Sequence, residues 1–312
     1  MDVLLYLGLF AISLGVLLKA SSWFVDAAER IGLALGISSF IIGLTIVAFG
    51  TSLPELATSI AAVFSGNSEI VVGNVVGSNI TNIALVLGLS ALVSKRIELE
   101  YNIWHIDMPY LWASAFLLWF ALRDLQFSLF EGCLFIFGTV VFLGYSFKSD
   151  DEDEEKEPME RLSISWKTYA MLAVGGGLVW LSADYTIFAI QKLSAIAGIN
   201  PEVIALSAVA LGTSLPEVIV SLNAARRGKA SIAVGNVLGS NIFNTYIVMS
   251  VPSFFGKLVI PTDINEVFLP LMVAMTILFG VMTNNKKITR WEGVALLMFY
   301  AFFVSELFKN AG

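Results

Sequence analysis

The chain has 312 residues, of which 57% are hydrophobic and 14% are charged, and its mean hydropathy is +0.82. Soluble domains carry about 25% charged residues, so this composition excludes an ordinary soluble protein and predicts a membrane protein. Eight of the 25 acidic residues lie between Asp150 and Glu160, so most of the net charge of −7 comes from one short segment. A negative net charge does not favour nucleic-acid binding. The single cysteine, Cys133, excludes an intramolecular disulfide and a thiolate metal cluster.

Apolar runs along the chain predict an all-α integral membrane protein. About 20 apolar helical residues cross a bilayer core of about 30 Å. Ten runs of this kind lie at approximately 3–26, 37–63, 69–93, 105–122, 127–147, 166–190, 199–224, 230–255, 264–283 and 289–308. Asp2 stands where a signal peptide would be basic, so we expect the first run to be retained as a helix. Glu131 and Glu292 begin the fifth and tenth runs, where an acidic side chain favours a helix N-terminus.

Two motifs recur on either side of a charged linker. Residues 148–165 contain DDEDEEKEPMER, which is too charged to bury, and they separate a first half, 1–147, from a second half, 166–312. GTSLPEL at 50–56 returns as GTSLPEV at 212–218, and GNVVGSNITN at 73–82 returns as GNVLGSNIFN at 235–244, in both cases 162 residues later. Each half holds five predicted spans, so the second half enters the membrane from the opposite side. Inverted repeats of this kind are typical of secondary transporters.

The basic residues predict the orientation of the chain. If both termini lie on one side, the loops on the other side carry thirteen of the 18 Lys and Arg residues, and the terminal side carries four. Basic residues concentrate in cytoplasmic loops. We therefore expect a multi-pass protein of the cell membrane with both termini outside and the acidic linker in the cytoplasm.

Glu55 and Glu217 lie at matching depths in the second and seventh predicted spans. An ionised group at this depth costs at least about 2.5 kcal/mol, so each carboxylate needs a partner or a function. No Lys or Arg lies at the same depth in the sequence. Pro54 and Pro216 have no main-chain N–H to donate to the carbonyls four residues earlier, at Gly50 and Gly212. This predicts that helices 2 and 7 are broken and expose carbonyl groups.

The residues around these breaks are oxygen donors of the kind that Ca²⁺ and Na⁺ prefer. In the second motif of each half, a serine and an asparagine are four residues apart and therefore share one helix face. The expected metal ligands, besides the two glutamates, are Ala48, Thr51, Ser52, Ser78, Asn82, Ala210, Thr213, Ser214, Ser240 and Asn244. The alternative is local: Ser-x-x-Glu is also a capping box, and the glycines of the second motif also form a helix-packing face.

At these paired motifs the sequence resembles the sodium/calcium exchanger family, within the cation/calcium exchanger superfamily. GTSLPE and GNVVGSNITN are similar to its first α-repeat and their copies to its second, and the resemblance covers nearly the whole chain. It implies that Glu55 and Glu217 bind Ca²⁺, that Na⁺ uses the same two glutamates, and that the other expected ligands complete the site. It also implies that spans one and six move as a gating pair. Asn244 departs from some prokaryotic and potassium-dependent relatives, which carry Asp there, so potassium co-transport is disfavoured.

The resemblance implies a secondary-active antiporter that exchanges Na⁺ for Ca²⁺ by alternating access at one shared midplane site. The expected partners are these two ions and the lipid bilayer, with no cofactor, no catalytic residue and no obligate protein partner. Ca²⁺/H⁺ exchange at the same glutamates is the nearest alternative, and a cation channel is a further one. An intramembrane enzyme is disfavoured because the chain has no HExxH motif, one histidine and one cysteine.

Overall fold

The chain is a helical integral membrane protein. A computed structural model describes residues 2–94, 96–99, 103–104, 107–152, 164–197 and 212–310. Within these ranges, eight helices are long and apolar enough to cross a bilayer. The helices are α1 (Asp2–Ala34), α2 (39–51), α3 (Leu53–Phe64), α4 (Glu69–Ser94), α5 (Asp107–Ala121), α6 (Leu129–Glu152), α7 (Trp166–Ile196), α8 (Leu215–Arg226), α9 (Ala230–Ser253), α10 (Ile264–Thr283) and α11 (Arg290–Asn310).

Two predicted spans are not among those eight helices. The fourth corresponds to α5, which has 15 residues. The first part of the seventh, predicted over 199–224, lies outside the described residues, and its last part is α8. The second predicted span corresponds to α2 and α3 together, which form one span of 26 residues, Ser39–Phe64.

Several boundaries differ from the predicted ones. Helix α1 continues to Ala34, beyond the predicted end at 26, and α6 continues to Glu152, beyond 147. Apolar runs mark where a helix leaves the hydrocarbon layer, whereas the main-chain hydrogen bonds can continue into water. The structure also contains two strands of three residues, β1 (Arg96–Glu98) and β2 (Lys287–Thr289), which pair antiparallel. Strands this short carry no periodic pattern that a sequence could reveal.

Acidic capping residues begin α6 and α11, as the sequence predicts. The main-chain N–H and the hydroxyl of Ser128 donate to Glu131 Oε2 at 2.6 and 2.8 Å, and the N–H of Glu131 donates to Ser128 Oγ at 3.3 Å. Thr289 and Glu292 form the same reciprocal pair. Each pair satisfies main-chain N–H groups that have no partner inside the helix. The prediction that both glutamates are helix N-terminal acids is therefore confirmed.

Equivalent glycines terminate α3 and α8. Gly66 has φ +79° and Gly228 has φ +78°, a left-handed conformation in which a side chain would be strained. In both turns the next N–H reaches back to a helix carbonyl at 2.9 Å, from Asn67 to Ala62 and from Lys229 to Ala224. The two turns are 162 residues apart, so the repeat seen in the sequence extends to backbone geometry.

Close backbone packing joins α2 to α9, which is the most deeply buried of the candidate spans. Gly43 lies against the main chain of Ile232, and Gly239 lies against the main chain of Leu44. A Cβ atom on either glycine would overlap a carbonyl oxygen of the neighbouring helix. Small residues let helices approach this closely. Helix α1 packs instead along α7, and Thr186 Oγ1 donates to Ser13 Oγ at 2.9 Å between them.

Ion pairs fasten the end of α1 to the turn between α8 and α9. Asp26 accepts from Arg227 at 2.7 Å and from Lys229 at 2.8 Å, and Glu29 accepts from Lys229 at 2.6 Å. Asn223 of α8 also donates to two serine hydroxyls of α1, at 3.0 and 2.9 Å. The charged side chains are between 19% and 35% exposed, so solvent screens their attraction in part.

We expect Asp26→Asn to lower the thermal unfolding midpoint in detergent by about 2 °C at low salt, because it removes a carboxylate that pairs with two basic residues. The difference from the native protein should shrink in 1 M salt, where ions screen the pairs. Glu306→Gln is the matched control, since it breaks an exposed pair with Lys309 within one helix and should leave the midpoint unchanged. An unchanged midpoint for Asp26→Asn at low salt would contradict this role.

Candidate cation site

The helix that carries the first motif is interrupted at Ser52. Helix α2 ends at Thr51 and α3 begins at Leu53, and Ser52 between them has φ −91° and ψ 7°. In the second half, α8 begins at Leu215 after Ser214, which has φ −82° and ψ 2°. A proline occupies the second position of α3 and of α8, where its missing N–H costs no hydrogen bond. This start places a glutamate in the first turn of each helix.

Those two glutamates, Glu55 and Glu217, are buried inside the protein. They are 1% and 0% exposed. Glu217 Oε1 accepts a hydrogen bond from Ser52 Oγ at 2.9 Å. Neither oxygen of Glu55, nor Oε2 of Glu217, has a hydrogen-bond partner among the described residues, and neither carboxylate forms an ion pair with them. Since buried charge is stable only when it is paired, the arrangement calls for a cation or for protons.

The hydroxyl of Ser52 joins the two halves of the chain rather than capping its own helix. Ser52 and Ser214 precede α3 and α8, but neither side chain accepts a hydrogen bond from its helix. Ser52 instead donates to the glutamate of the other half, and the hydroxyl of Ser214 has no partner among the described residues. The capping-box alternative for these serines is therefore wrong. Both serines are fully buried.

The second motif places buried amides in α4 and α9. Helix α4 becomes π-helical at Asn82, over Asn82–Leu87, and α9 becomes π-helical at Asn244, over Asn244–Val248. Single π-helical turns often occur at functional sites. Both asparagines are fully buried, and Asn82 Nδ2 donates to Asn241 Oδ1 at 3.0 Å. The oxygen of Asn82, both polar atoms of Asn244 and the hydroxyl of Ser240 lack partners within the described chain.

The two main-chain carbonyls predicted as ligands are those of Ala48 and Ala210. The sequence suggested that the carbonyl of Ala48 is free, but it accepts a hydrogen bond from Ser52 N at 3.0 Å, and Thr51 Oγ1 lies 3.3 Å from it. Pro54 removes the donor that would reach Gly50, so the bond to Ala48 survives. Ala210 lies outside the described residues.

The sequence reasoning did not assign a role to Asn74 or Asn236, although both are buried between the halves. Thr213 Oγ1 donates to Asn74 Oδ1 at 3.1 Å, and Thr51 Oγ1 donates to Asn236 Oδ1 at 3.2 Å. Ser78 joins the first pair, with its oxygen 3.4 Å from Thr213 Oγ1. The sequence did contain one indication of their importance: asparagine occupies the same position in both copies of the motif.

A second set of amides ties α4 directly to α9. Asn79 Nδ2 lies 3.4 Å from the carbonyl oxygen of Asn241, and Asn241 Nδ2 lies 3.2 Å from that of Asn79. The two residues are 162 positions apart, so the contact is reciprocal. Asn79 Nδ2 also donates to Thr245 Oγ1 at 3.0 Å. These bonds hold together the two helices that carry the serine and asparagine pairs.

The oxygen donors of the two motifs have the chemistry that suits a hard cation. Among the described residues they are two carboxylates, four hydroxyls in the first motif copies, and the serine and amide oxygens of the second motif. No group of three or more His, Cys, Asp or Glu side chains that could hold a metal occurs in the described part of the chain. Two carboxylates with neutral oxygen donors match the preferences of Ca²⁺ and Na⁺ better than those of a transition metal.

Comparison with known proteins identifies the family of this chain. The profile described as "Sodium/calcium exchanger protein" matches residues 5–148 and 167–309. The sodium/calcium exchanger MaX1 of Methanosarcina acetivorans is 34% identical over 341 residues, which cover 94% of this chain and 95% of that protein. An uncharacterized membrane protein of Methanocaldococcus jannaschii is 34% identical over 307 residues, covering 98% of this chain and 99% of the relative.

A solved structure has the same fold along nearly its whole length. The sodium-calcium exchanger NCX_Mj, in crystals soaked with Na⁺ and Ca²⁺, superposes with a TM-score of 0.84 at 32% identity, covering 96% of this chain and 98% of that one. Exchangers of this kind are membrane transporters that carry ions by antiport. The match to the family profile covers both halves of the chain and leaves out only the acidic linker and the chain ends. The chain belongs to the sodium/calcium exchanger family.

Proposed function

We propose that the protein exchanges Na⁺ for Ca²⁺ across the membrane by alternating access, and that both ions use one site between Glu55 and Glu217. The observation that carries the proposal is the burial of these two carboxylates with three oxygens that lack partners among the described residues. The choice of ions is supported by the relative MaX1 and by NCX_Mj, which are both sodium/calcium exchangers.

Charge balance supplies the coupling. Two carboxylates neutralise one Ca²⁺ or an equal charge of Na⁺, so the two ions compete. Without a cation, two unpaired charges would remain inside the protein, at a cost of at least about 2.5 kcal/mol each on insertion scales. The empty protein therefore reorients rarely, and movement of one ion requires movement of the other. If more than two Na⁺ enter per Ca²⁺, the membrane potential also drives the exchange.

We assign the ligands as the sequence predicted them. The carbonyl of Ala48 accepts from Ser52 N, and its second lone pair can contact a cation when the hydroxyl hydrogen of Thr51 goes to Asn236. The proposed ligands are Ala48, Thr51, Ser52, Glu55, Ser78, Asn82, Ala210, Thr213, Ser214, Glu217, Ser240 and Asn244.

The proposal includes ten transmembrane helices arranged as two inverted repeats, 1–147 and 166–312, joined by the cytoplasmic linker 148–165, with helices 2 and 7 broken. Reciprocal contacts support it: the bonds Thr51 to Asn236 and Thr213 to Asn74 are related by a shift of 162 residues. We further propose that α1 and α7, which pack along each other, move as the gating pair.

The decisive experiment measures Ca²⁺ uptake into proteoliposomes that are loaded with Na⁺ and diluted into sodium-free buffer at clamped pH. We expect saturable uptake that follows the Na⁺ gradient, ignores K⁺ and produces no single-channel current. Uptake that follows a pH gradient and ignores Na⁺ would replace the exchanged ion with the proton. Conductance steps in planar bilayers would indicate a channel instead.

The proposed orientation predicts a labelling pattern in intact cells. In a Cys133→Ala background, a membrane-impermeant maleimide should label Gly312→Cys from outside, because the C-terminus is proposed to be extracellular. Glu155→Cys in the linker should be labelled only after the cells are permeabilised. Labelling of Glu155→Cys in intact cells would contradict the cytoplasmic linker.

A further inference from the structure

The side chain of Asn74 is fully engaged, and its orientation is fixed. Its Nδ2 donates to the main-chain oxygen of Glu55 at 3.1 Å and to Ser59 Oγ at 3.0 Å. Its Oδ1 accepts from Thr213 Oγ1 at 3.1 Å and from Ser78 Oγ at 3.3 Å. A carbonyl oxygen can only accept, so the amide nitrogen must face Glu55 and the amide oxygen must face Thr213.

Asn236 repeats two of these four contacts from the other half of the chain. Its Nδ2 donates to Ser221 Oγ at 2.8 Å, and its Oδ1 accepts from Thr51 Oγ1 at 3.2 Å. Each asparagine is therefore held by a serine of the neighbouring half-helix, α3 or α8, and presents its oxygen to a threonine of the opposite half. Asn236 is 0% exposed and Asn74 is 2% exposed.

These contacts offer each threonine hydroxyl an acceptor that is not a carboxylate. A hydroxyl has one hydrogen and two lone pairs, so a hydrogen given to an amide oxygen cannot also be given to a carboxylate. A cation needs the lone pairs and is repelled by the hydrogen. Ser52 shows the opposite case, since it donates its hydrogen to Glu217.

We propose that Asn74 and Asn236 are positioning residues that hold the hydroxyl hydrogens of Thr213 and Thr51 away from the glutamates, so that both oxygens present lone pairs to the transported cation. This inference rests on the proposed function. Neither asparagine touches the ion. Each acts through a threonine of the other half, so the threonine ligands are correctly oriented only where the two halves meet.

The test is a double-mutant cycle read out as equilibrium binding of radioactive Ca²⁺ to the purified full-length protein. We expect Asn74→Ala and Thr213→Val each to weaken Ca²⁺ binding by about tenfold, and the double variant to bind no more weakly than either single one. Thr213→Ser, which keeps the hydroxyl, should lose less affinity than Thr213→Val.

The chain offers a matched control in the other pair. Asn74→Ala combined with Thr51→Val should give multiplied effects, because Thr51 donates to Asn236 and not to Asn74. Asn236→Ala should couple in turn to Thr51→Val and not to Thr213→Val. If Asn74→Ala fails to fold, as thermal unfolding would reveal, the Asn236 cycle decides the question.

A purely structural asparagine would weaken binding by the same factor whatever residue stands at 213, so multiplied effects within the pairs would overturn the inference. Native protein that binds no Ca²⁺, or Glu55→Gln protein that binds it as tightly as native, would instead refute the proposed function. Binding that needs Glu55 but shows no coupling would refute the positioning role alone.

Discussion

Glutamine in place of Glu55 or Glu217 is expected to reduce sodium-driven Ca²⁺ uptake at least about 100-fold, equivalent to about 2.7 kcal/mol. The side chain keeps its size, and glutamine at 217 can still accept the hydrogen bond that Ser52 donates. Only one negative charge remains to face a divalent ion inside the protein. Initial rates in Na⁺-loaded proteoliposomes measure the loss.

The matched control is Glu69→Gln, an exposed glutamate at the start of α4, which should retain native uptake. Folding is checked by thermal unfolding: we expect the midpoint of Glu55→Gln to equal or exceed the native value, because a buried charge without a partner has been removed. Native uptake rates in Glu55→Gln or Glu217→Gln would show that transport does not depend on the charge of these residues.

Alanine in place of Gly239 is expected to lower the thermal unfolding midpoint by at least about 5 °C and to impair uptake. The new Cβ would overlap the main chain of Leu44 and lie 2.8 Å from Ala48 Cβ. These are main-chain and Cβ atoms that cannot rotate away, so α2 and α9 must separate. The displaced segment leads directly into Thr51 and Ser52, so the candidate site would distort as well.

Gly15→Ala is the control for this substitution, because a Cβ at Gly15 has no heavy atom within 4 Å. The same chemical change in another apolar helix should leave both the midpoint and the uptake rate unchanged, apart from a small gain in helix propensity. Equal midpoints for Gly239→Ala and Gly15→Ala would show that the close approach of α2 and α9 is not needed for stability.

The membrane class and the two buried glutamates could be predicted because their signals lie in the sequence itself. Apolar runs gave most helices to within a few residues, and the acidic N-termini at Glu131 and Glu292 follow from side chains three residues from their partners. The doubled motifs singled out Glu55 and Glu217 before any packing was known. Recognising identical residues at a constant shift along the chain requires no three-dimensional information.

Orientation and long-range pairing could not be predicted in this way. The hydrogen of a threonine can go to any nearby acceptor, and only the fold brings Asn236 to Thr51. The ion pair between Asp26 and Arg227 joins residues about 200 positions apart and has no copy in the repeat, since the equivalent positions are Phe188 and Ser65. The hydrogen bond from Ser52 N to the carbonyl of Ala48 follows from local geometry instead, because Pro54 removes only the donor to Gly50.

The reciprocal amide bonds between Asn79 and Asn241 have a consequence for motion. They connect side chain to main chain in both directions, so α4 and α9 cannot slide past each other without breaking both. Asn74 and Asn236 attach α3 and α8 to the same pair of helices through Ser59 and Ser221. In the proposed exchange we therefore expect these four helices to move together, and a change of access to come from the elements that surround them.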